Sequence, residues 1–410
     1  MITNEFLKTL EKNMNILIIQ EVDWIKKITY EMHHLSELFS IKGHNVFAID
    51  IPDPGLFNFS KKIFQTVYNY NRIYEKASVT LFRTPILQFK GLSRLSAYFS
   101  SYYFIKKILK QNKIDIVLIY SGVNNLEATI KATKEMNIPL IHRTFDIAHL
   151  LILEKYLKNR VEKIEKKTYP QIEFVLANTP FMKEWTEKMG AKNVHVISQG
   201  VDSSILTKMK PNSELMKELG ISKTDFVVMY LGSVGSHSGL ESILKHTPEI
   251  LKKFPSFKLL IVGDGPFLHI LKQISNELKI SKNIIFTGFV PYTKISSYCS
   301  LAKLCINPFQ INEMTDKLSP AKIFDMMACG KPILATPLKG MLYDFPSDSN
   351  TIIYSELEHF GTKIIELLDR TDLENIGNKT RDYVKMNYSW NTVAEKMLEI
   401  FSNIKNHKTF

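Results

Sequence analysis

Short apolar runs alternate with helical patterns along the whole chain, and the first run is typical of a buried parallel strand. Residues 15–20 (NILIIQ) form the kind of segment that a parallel sheet covers on both faces. A helical stripe then runs to Ile41, and Gly43 ends it before a second strand at 46–49. Further strands of the first half are predicted at 114–120, 139–142, 174–177 and 194–197.

The same pattern restarts after Asp202. Strands are predicted at 226–231, 258–262, 284–287, 304–307 and 332–335, with helical segments between them. Strands and helices that alternate in two successive sets predict two doubly wound α/β domains. The polar, turn-rich stretch between Asp202 and Leu219 marks the boundary, and two such sheets facing each other would form a cleft.

Composition agrees with two globular domains. The 410 residues are 45% hydrophobic and 23% charged, which excludes disordered, collagenous and disulfide-scaffold classes. Cys299, Cys305 and Cys329 lie in apolar stretches without metal-type spacing, which favours a reducing cytoplasm. No leader-like segment and no apolar run of about 18 residues is found, so we expect neither secretion nor a membrane span.

The formal net charge of +12 is concentrated in one part of the chain. Between Phe57 and Lys113, eleven bases face a single acid, Glu75, and many aromatic residues lie among them. Bases interleaved with aromatic rings suit an anionic membrane surface or a nucleic acid. The alternative is a set of core-packed rings with solvated lysines.

Three segments of the second half could bind a phosphorylated ligand. The glycine-rich turn at 230–240 joins a strand to a helix, whose free N–H groups favour phosphate, although it could be an ordinary tight turn. The second segment, 261–266, contains Gly263 and Asp264 at a strand end, where Asp264 could instead be a turn former.

The third segment, 317–332, predicts a helix with Ser319 at its N-cap and Pro320 in its first turn. Lys322 and Asp325 would then share one face near the helix start, where Lys322 could reach phosphate and Asp325 could accept from hydroxyl groups. A salt bridge between the two on the surface is the alternative.

These segments, in this order, resemble the donor-binding domain of the retaining glycosyltransferases of family 4, which have the GT-B architecture. The first half resembles the family more loosely, through 15–19, 42–46, Pro139 with Asp146, and 177–179. The matching landmarks of the second half are 198–202 (SQGVD), 231–233 with 239–240, 262–266 (VGDGP), 286–290 (FTGFV), 307–308, 320–325 (PAKIFD) and 328–332 (ACGKP).

The resemblance implies an acceptor-binding domain at 1–204, completed by a C-terminal helix at 388–410, and a donor-binding domain at 205–387. Asp325 would bind the ribose hydroxyls of the nucleotide, and Asp146 would lie near the reaction centre. The further residues implied on the donor side are Gly232, Ser233, Gly235, His237, Gly263, Asp264, Phe289, Val290, Ser319, Pro320 and Ala321. Those on the acceptor side are Asp23, Trp24, Arg143 and His149.

Several positions depart from the family pattern. The first acid of a conserved pair is here Lys317, the basic residues usual after the first donor-domain strand fall at Ser233 and Ser238, and the histidine before Asp146 is Phe145. Because the usual positive clamp on the diphosphate is absent, charge compensation would have to come from Lys322, Lys317, His237 or Arg143.

The family resemblance implies transfer of a sugar from a nucleoside diphosphate sugar to an acceptor hydroxyl with retention of configuration. The departing phosphate would help deprotonate the acceptor. No Asp-x-Asp motif and no metal-type cluster is found, so we expect no essential metal or other cofactor.

A glycan or lipid-linked acceptor at the cytoplasmic face of the membrane would give the basic aromatic stretch a role in docking, and no nucleic-acid partner is then expected. The alternatives are a non-hydrolysing nucleotide-sugar epimerase and a catalytically drifted protein that binds a sugar or nucleotide.

Overall fold

The computed structural model describes residues 13–27, 29–52, 65–84, 92–120, 124–152 and 154–407. The chain divides into two compact units. The first comprises residues 1–198 and 390–410, and the second comprises residues 199–389. The boundaries predicted from the sequence were 1–204 with 388–410, and 205–387.

The first unit is built on an eight-stranded sheet with the order β3-β4-β2-β1-β5-β6-β7-β8. All neighbouring strands are parallel except β3, which pairs antiparallel with β4 at one edge. The strands are β1 (Asn15–Ile19), β2 (Asn45–Asp50), β3 (Gln65–Tyr70), β4 (Val79–Arg83), β5 (Ile116–Tyr120), β6 (Leu140–Thr144), β7 (Phe174–Ala177) and β8 (Val194–Val196).

Helices cover both faces of this sheet, because successive side chains of each central strand point to opposite sides. Ile16 and Ile18 of β1 belong to one core cluster, and Leu17 and Ile19 belong to the other. The helices of the unit are α1 (Glu31–Ile41), α2 (Leu92–Gln111), α3 (Leu126–Glu135), α4 (Lys155–Thr168), α5 (Pro180–Lys188) and, from the end of the chain, the helix at Trp390–His407.

The second unit has a six-stranded, fully parallel sheet with the order β11-β10-β9-β12-β13-β14. Its strands are β9 (Phe226–Leu231), β10 (Phe257–Val262), β11 (Ile284–Gly288), β12 (Leu304–Asn307), β13 (Ile333–Ala335) and β14 (Ile353–Tyr354). Its helices are α6 (Ser213–Glu218), α7 (Leu240–Lys253), α8 (Leu268–Glu277), α9 (Ile295–Leu301), α10 (Ala321–Ala328), α11 (Lys339–Asp344), α12 (Phe360–Leu368) and α13 (Leu373–Asn387). The helix at Trp390–His407, which belongs to the first unit, is α14.

Each sheet reverses its strand order once. In the first unit the chain proceeds outward from β1 and returns to start again at β5, and in the second it does the same between β9 and β12. Ligands of open α/β sheets bind beyond the carboxyl ends of the strands at such a switch point. The segments that follow β9 and β12 are therefore the first place to look for a binding site in the second unit.

The two doubly wound α/β domains predicted from the sequence are confirmed. Each of the eleven predicted strands corresponds to an observed strand, and the glycine that ends α1, Gly43, has a φ of +91°. Three strands were not predicted, namely β3, β4 and β14. None of the helices in the described ranges combines the length and apolar character needed to span a membrane.

Candidate functional site

Two glycine turns interlock at the carboxyl ends of β9 and β10. The amide of Gly232 donates to the carbonyl of Val262 (N–O 2.9 Å), and Gly232 and Gly263 have φ angles of +124° and +145°. A Cβ atom on Gly263 would lie 1.9 Å from the carbonyl oxygen of Gly232. Glycine is therefore required where the two backbones meet.

The second turn shows what Asp264 does. Its side chain is exposed, and one carboxylate oxygen accepts from the amide of Gly265 (2.7 Å) while its carbonyl accepts from Val234 N (3.0 Å). These bonds shape the turn, as expected for a turn former. A donor contact by Asp264 stays a prediction.

The first turn also contacts the segment after β12. A short 3₁₀ helix at Ser236–Ser238 leads to Gly239, whose φ is +68° and whose added Cβ would lie 1.6 Å from the carbonyl oxygen of Pro308. The turn thus lies directly over the switch point. Ser233 is exposed, whereas the buried Ser238 hydroxyl has no hydrogen-bond partner in the protein.

Helix α10 starts one residue later than predicted, so the expected N-cap is wrong. Pro320 is the N-cap, with ψ at 128°, and the amide of Ile323 donates to its carbonyl (3.0 Å). Ser319 lies outside the helix, where its carbonyl accepts from Gln199 Nε2 (2.6 Å) and its buried hydroxyl has no hydrogen-bond partner in the protein. Ala321, the first helical residue, is exposed.

Lys322 occupies an unusual place for a cation. Its Nζ lies 3.9 Å from the ring centre of Tyr230 on β9 and 4.0 Å from that of Phe309 just after β12. The atom is buried and has no hydrogen-bond partner in the protein, and burial lowers the pKa of this ammonium well below its usual value. A salt bridge with Asp325, the alternative considered above, does not form.

Asp325 lies one helical turn further along α10 and is partly buried. One carboxylate oxygen accepts from the hydroxyl of Tyr292 (Oη–Oδ1 3.2 Å), in a 3₁₀ turn that follows β11. Burial raises the pKa of Asp325 to about 7, because desolvation outweighs the opposing effect of that hydrogen bond. Near neutral pH this carboxyl group is therefore poised between its two protonation states.

Four other predicted site residues of the second unit make contacts of their own or are exposed. Lys317 donates to the carbonyl of Glu313 (2.9 Å). The ring of His237 meets Phe309 edge-on, and burial, assisted by the charge of Lys322, lowers the pKa of His237. Phe289 is 53% exposed after β11, and Val290 packs against the core.

In the first unit, Asp146 follows β6 at the carboxyl end of the sheet and is partly buried. Burial raises the pKa of Asp146 above its usual value. The preceding Phe145 stacks on Tyr120 with ring centres 6.0 Å apart, so an apolar ring fills the place of the family's histidine. The role of Asp146 stays a prediction.

Arg143 is fully buried within the first unit and has no free donor face. It makes two bonds to the carboxylate of Glu31 (2.8 and 2.9 Å), and a third to the carbonyl of Ile197 (2.7 Å). An acceptor contact, or a share in charge compensation, would require this buried pair to break, so the arrangement does not support either prediction.

His149 is held in a comparable way. Its Nδ1 lies 2.5 Å from a carboxylate oxygen of Glu165, whose other oxygen accepts from the amide of Ala148 (3.0 Å). Burial raises the pKa of Glu165. The histidine is 9% exposed, so most of its surface is covered by its own domain.

Asp23 and Trp24 are also buried, in the segment that follows β1. Asp23 pairs with Arg83 (2.8 Å), which also pairs with Asp50 (2.9 Å), and the amide of Trp24 donates to Asp50 (2.9 Å). The carbonyl of Trp24 is in turn 2.9 Å from the ring of His33. These contacts account for both residues structurally, and their acceptor contacts stay predictions.

Three contributors to the donor site were not identified from the sequence, namely Tyr230, Phe309 and Tyr292. The first belongs to an apolar strand and the other two follow strands, and none of the three was assigned a role from the sequence. Their position at strand ends was the one available signal. Among the described residues no group of three or more His, Cys, Asp or Glu side chains is placed to hold a metal ion, and the expectation that no metal is needed stays a prediction.

Two family models match the chain, one in each half. The model described as "Glycosyltransferase Family 4" matches residues 32–205, and the one described as "Glycosyl transferases group 1" matches residues 211–383. The two matches together cover most of both structural units.

The sequence identity to individual proteins is low. The chain is 22% identical over 239 residues to the alpha-monoglucosyldiacylglycerol synthase of Streptococcus pneumoniae, which covers 56% of this chain and 53% of that protein. The chain spans about half the length of curated relatives of this kind.

Solved structures share the fold over nearly the whole chain. The sucrose-phosphate synthase of Thermosynechococcus elongatus has a TM-score of 0.77 at 14% identity, covering 96% of this chain and 99% of that one. Anabaena HepE in complex with UDP and glucose has a TM-score of 0.71 at 16% identity, covering 95% and 100%. With its two Rossmann-like domains and both family matches, the chain belongs to the glycosyltransferases of family 4, which have the GT-B fold.

Proposed function

We propose that this chain is a retaining glycosyltransferase that moves a sugar from a nucleoside diphosphate sugar to a hydroxyl group of a glycan or lipid-linked acceptor. The observation that carries the proposal is the site at the switch point of the second unit. There, two glycine turns that need their glycines lie next to a buried cation and a poised carboxylate.

The chemistry of donor cleavage fits this arrangement. A departing diphosphate gains negative charge, which amides at a glycine turn and the start of a helix stabilise without reorganising. The amide of Gly232 itself is bonded to the carbonyl of Val262, so such amides would come from other residues of the turn and from the start of α10 at Ala321. The carboxylate of Asp325 would accept hydrogen bonds from the ribose hydroxyls, and the exposed segment at Phe289 and Val290 would lie against the base.

Asp146 is proposed to support the sugar or the acceptor. It lies at the carboxyl end of β6 and its raised pKa reflects a site with little water, where a charge acts strongly. We propose retention of configuration because the family resemblance implies it, with the departing phosphate helping to take the proton of the acceptor. The proposal involves no essential metal and no further cofactor.

A lipid-linked acceptor is supported by the surface of α2. Phe99 and Tyr103 are 68% and 75% exposed, and Lys107 and Lys110 are exposed on the same side of the helix. Rings and bases together suit an anionic lipid surface. The relative from Streptococcus pneumoniae is named for a glycolipid product. We therefore propose a peripheral location at the cytoplasmic face of the cell membrane; residues 57–64 and 85–91 of the basic stretch lie outside the described ranges.

Calorimetric titration of the purified protein with UDP and GDP, followed by transfer assays with the matching nucleotide sugars, tests the proposal. We expect one diphosphate to bind and its sugar to be transferred with the anomeric configuration kept. Failure of a broad panel of nucleoside diphosphates to bind would refute it. Interconversion of the free nucleotide sugar without transfer would identify an epimerase, and binding without turnover would identify a drifted binding protein.

A further inference from the structure

Four basic side chains were considered above as charges that could balance a diphosphate. Two of them are already bonded elsewhere in the protein. The guanidinium of Arg143 is buried and donates hydrogen bonds to the carboxylate of Glu31 and to the carbonyl of Ile197. Lys317 donates to the carbonyl of Glu313 (2.9 Å). Neither is free to approach a ligand without giving up these bonds.

The third candidate, His237, is not a cation at neutral pH. Its ring meets Phe309 edge-on at 5.1 Å between ring centres, and burial lowers the pKa of the imidazole below its usual value. It can donate one hydrogen bond but supplies no charge.

Lys322 remains, and its surroundings are incomplete. A lysine ammonium has three donors, yet Nζ is buried against two aromatic faces and has no hydrogen-bond partner in the protein. Aromatic faces attract a cation but accept hydrogen bonds poorly. Burial at this position favours the neutral amine of Lys322, and an anion that joined Nζ would restore its positive charge.

The position of this ammonium points to the ligand. Tyr230 ends β9 and Phe309 follows β12, so Nζ lies at the switch point of the second sheet. A Cβ on Gly232 would lie 3.0 Å from Cδ of Lys322 and 3.7 Å from Nζ. The lysine therefore lies directly against the glycine turn that is proposed to bind the phosphate groups.

We propose that Lys322 is the diphosphate-binding cation of this chain. Family members place positive charge after the first strand of the donor domain, where this chain has Ser233 and Ser238. Lys322 would supply that charge from helix α10 instead. This inference rests on the proposed function, because it assigns a residue to its donor. The residue as a whole keeps some accessible surface, so rotation about its terminal bonds brings the ammonium from the rings to a phosphate oxygen.

Lys322→Met tests the assignment, because methionine keeps the length and the packing on the rings but removes the charge. Calorimetry would compare the affinities of UDP, GDP and inorganic pyrophosphate with those of uridine and guanosine. We expect the affinity for the diphosphate that binds wild type to fall about 10- to 100-fold, the usual effect of losing a hydrogen-bonded charge, and nucleoside affinity to stay the same. Lys245→Met, an exposed lysine of α7, is the matched control and should change neither.

If Lys322 had a purely structural role, Lys322→Met would lower the melting temperature of the protein. Because the variant removes a buried amino group that has no hydrogen-bond partner in the protein, its melting temperature should be equal to or above that of wild type. A lower melting temperature together with equal losses for nucleosides and diphosphates would overturn the inference, as would unchanged diphosphate affinity. Absence of diphosphate binding to wild type itself would instead refute the proposed function.

Discussion

The hydroxyl of Tyr292 donates to the carboxylate of Asp325, with 3.2 Å between Oη and Oδ1. This bond stabilises the ionised form of a group whose pKa burial has raised to about 7. Tyr292 follows β11 and Asp325 lies on α10. Two separate segments of the second unit therefore set the charge of the carboxyl group that is proposed to bind ribose.

Nucleotide affinity should therefore depend on pH, with a midpoint set by Asp325. The carboxylate accepts from ribose hydroxyls in its ionised form, so affinity for UDP or GDP should rise as pH increases through about 7, the folded-state pKa. Calorimetry between pH 5.5 and 8.5 measures this profile. Lys322, near the start of α10, and Cys329, just past its end, are the other titratable groups of this segment.

Tyr292→Phe should move that midpoint to higher pH. The variant removes the hydrogen bond that lowers the pKa of Asp325 and leaves the desolvation that raises it. At pH 7 the variant should bind nucleotide more weakly than wild type, and at pH 9 the difference should shrink. A uniform loss at every pH would show that the hydroxyl contacts the ligand itself.

Asp325→Asn should stabilise the fold while abolishing donor affinity. The folded-state pKa lies above the ordinary value of 3.8, so ionisation of this group costs stability as pH rises from that value to about 7. Asparagine carries no charge to desolvate, so its melting temperature should exceed that of wild type at pH 8 and approach it at pH 4. Unchanged donor affinity would refute the ribose role.

Gly263→Ala should disrupt the interlocked turns. The new methyl group would meet the carbonyl of Gly232 at 1.9 Å, in addition to the cost of a side chain at a φ of +145°. Gly220→Ala is the control, since its φ is +64° but nothing lies within 4 Å of the added atom. Urea denaturation should show a loss of about 1 kcal/mol for the control and a clearly larger one for Gly263→Ala. Equal losses would mean that the turns can separate freely.

Glu31→Gln should strongly destabilise the first unit. It removes one partner of a buried pair and leaves the guanidinium of Arg143 uncompensated, which typically costs about 3–5 kcal/mol. Glu241→Gln removes an exposed helix pair with Lys245 and should cost about 0.5 kcal/mol or less. Comparable losses in denaturant titrations would contradict the assignment of Arg143 to a structural pair.

Lys107→Glu with Lys110→Glu should reduce binding to vesicles that contain anionic lipid. Each base near such a surface contributes about 1 kcal/mol, so reversing two of them should remove most of the attraction. Lys183→Glu with Lys188→Glu on α5 changes the net charge equally and should affect co-sedimentation less. Equal binding of wild type to neutral and anionic vesicles would count against docking.

The parallel strands could be predicted because each is a nearly continuous apolar run. Strands such as β9 and β12 are buried on both faces, which the sequence records directly. The edge strand β3 and its neighbour β4 were not predicted. The pattern of β3, QTVYNY, is largely exposed, and its residues were interpreted as part of a basic aromatic surface.

The candidate site of the second unit was proposed from ordered motifs, but its side-chain contacts could not be predicted from them. Lys322 and Asp325 share a helix turn that spacing reveals, whereas the rings around Lys322 come from segments that only the sheet brings together. In the first unit, a residue was interpreted as a ligand contact although it belongs to a buried structural pair. Arg143 was interpreted as a ligand contact because nothing local distinguishes it from the partner of a glutamate that lies 112 residues earlier in the chain.

Helix α14 packs in the core of the first unit although it is synthesised after the second unit. Trp390 stacks on His34 with ring centres 5.1 Å apart, Phe401 meets Phe39 at 5.6 Å, and Lys405 pairs with Asp115 at 2.8 Å. Part of the core that α1 and the first sheet build therefore stays uncovered on the ribosome until the second unit has been made. The N-terminal domain can reach its final stability only after translation passes residue 390, so truncations near the C-terminus should act as folding defects of the opposite end of the protein.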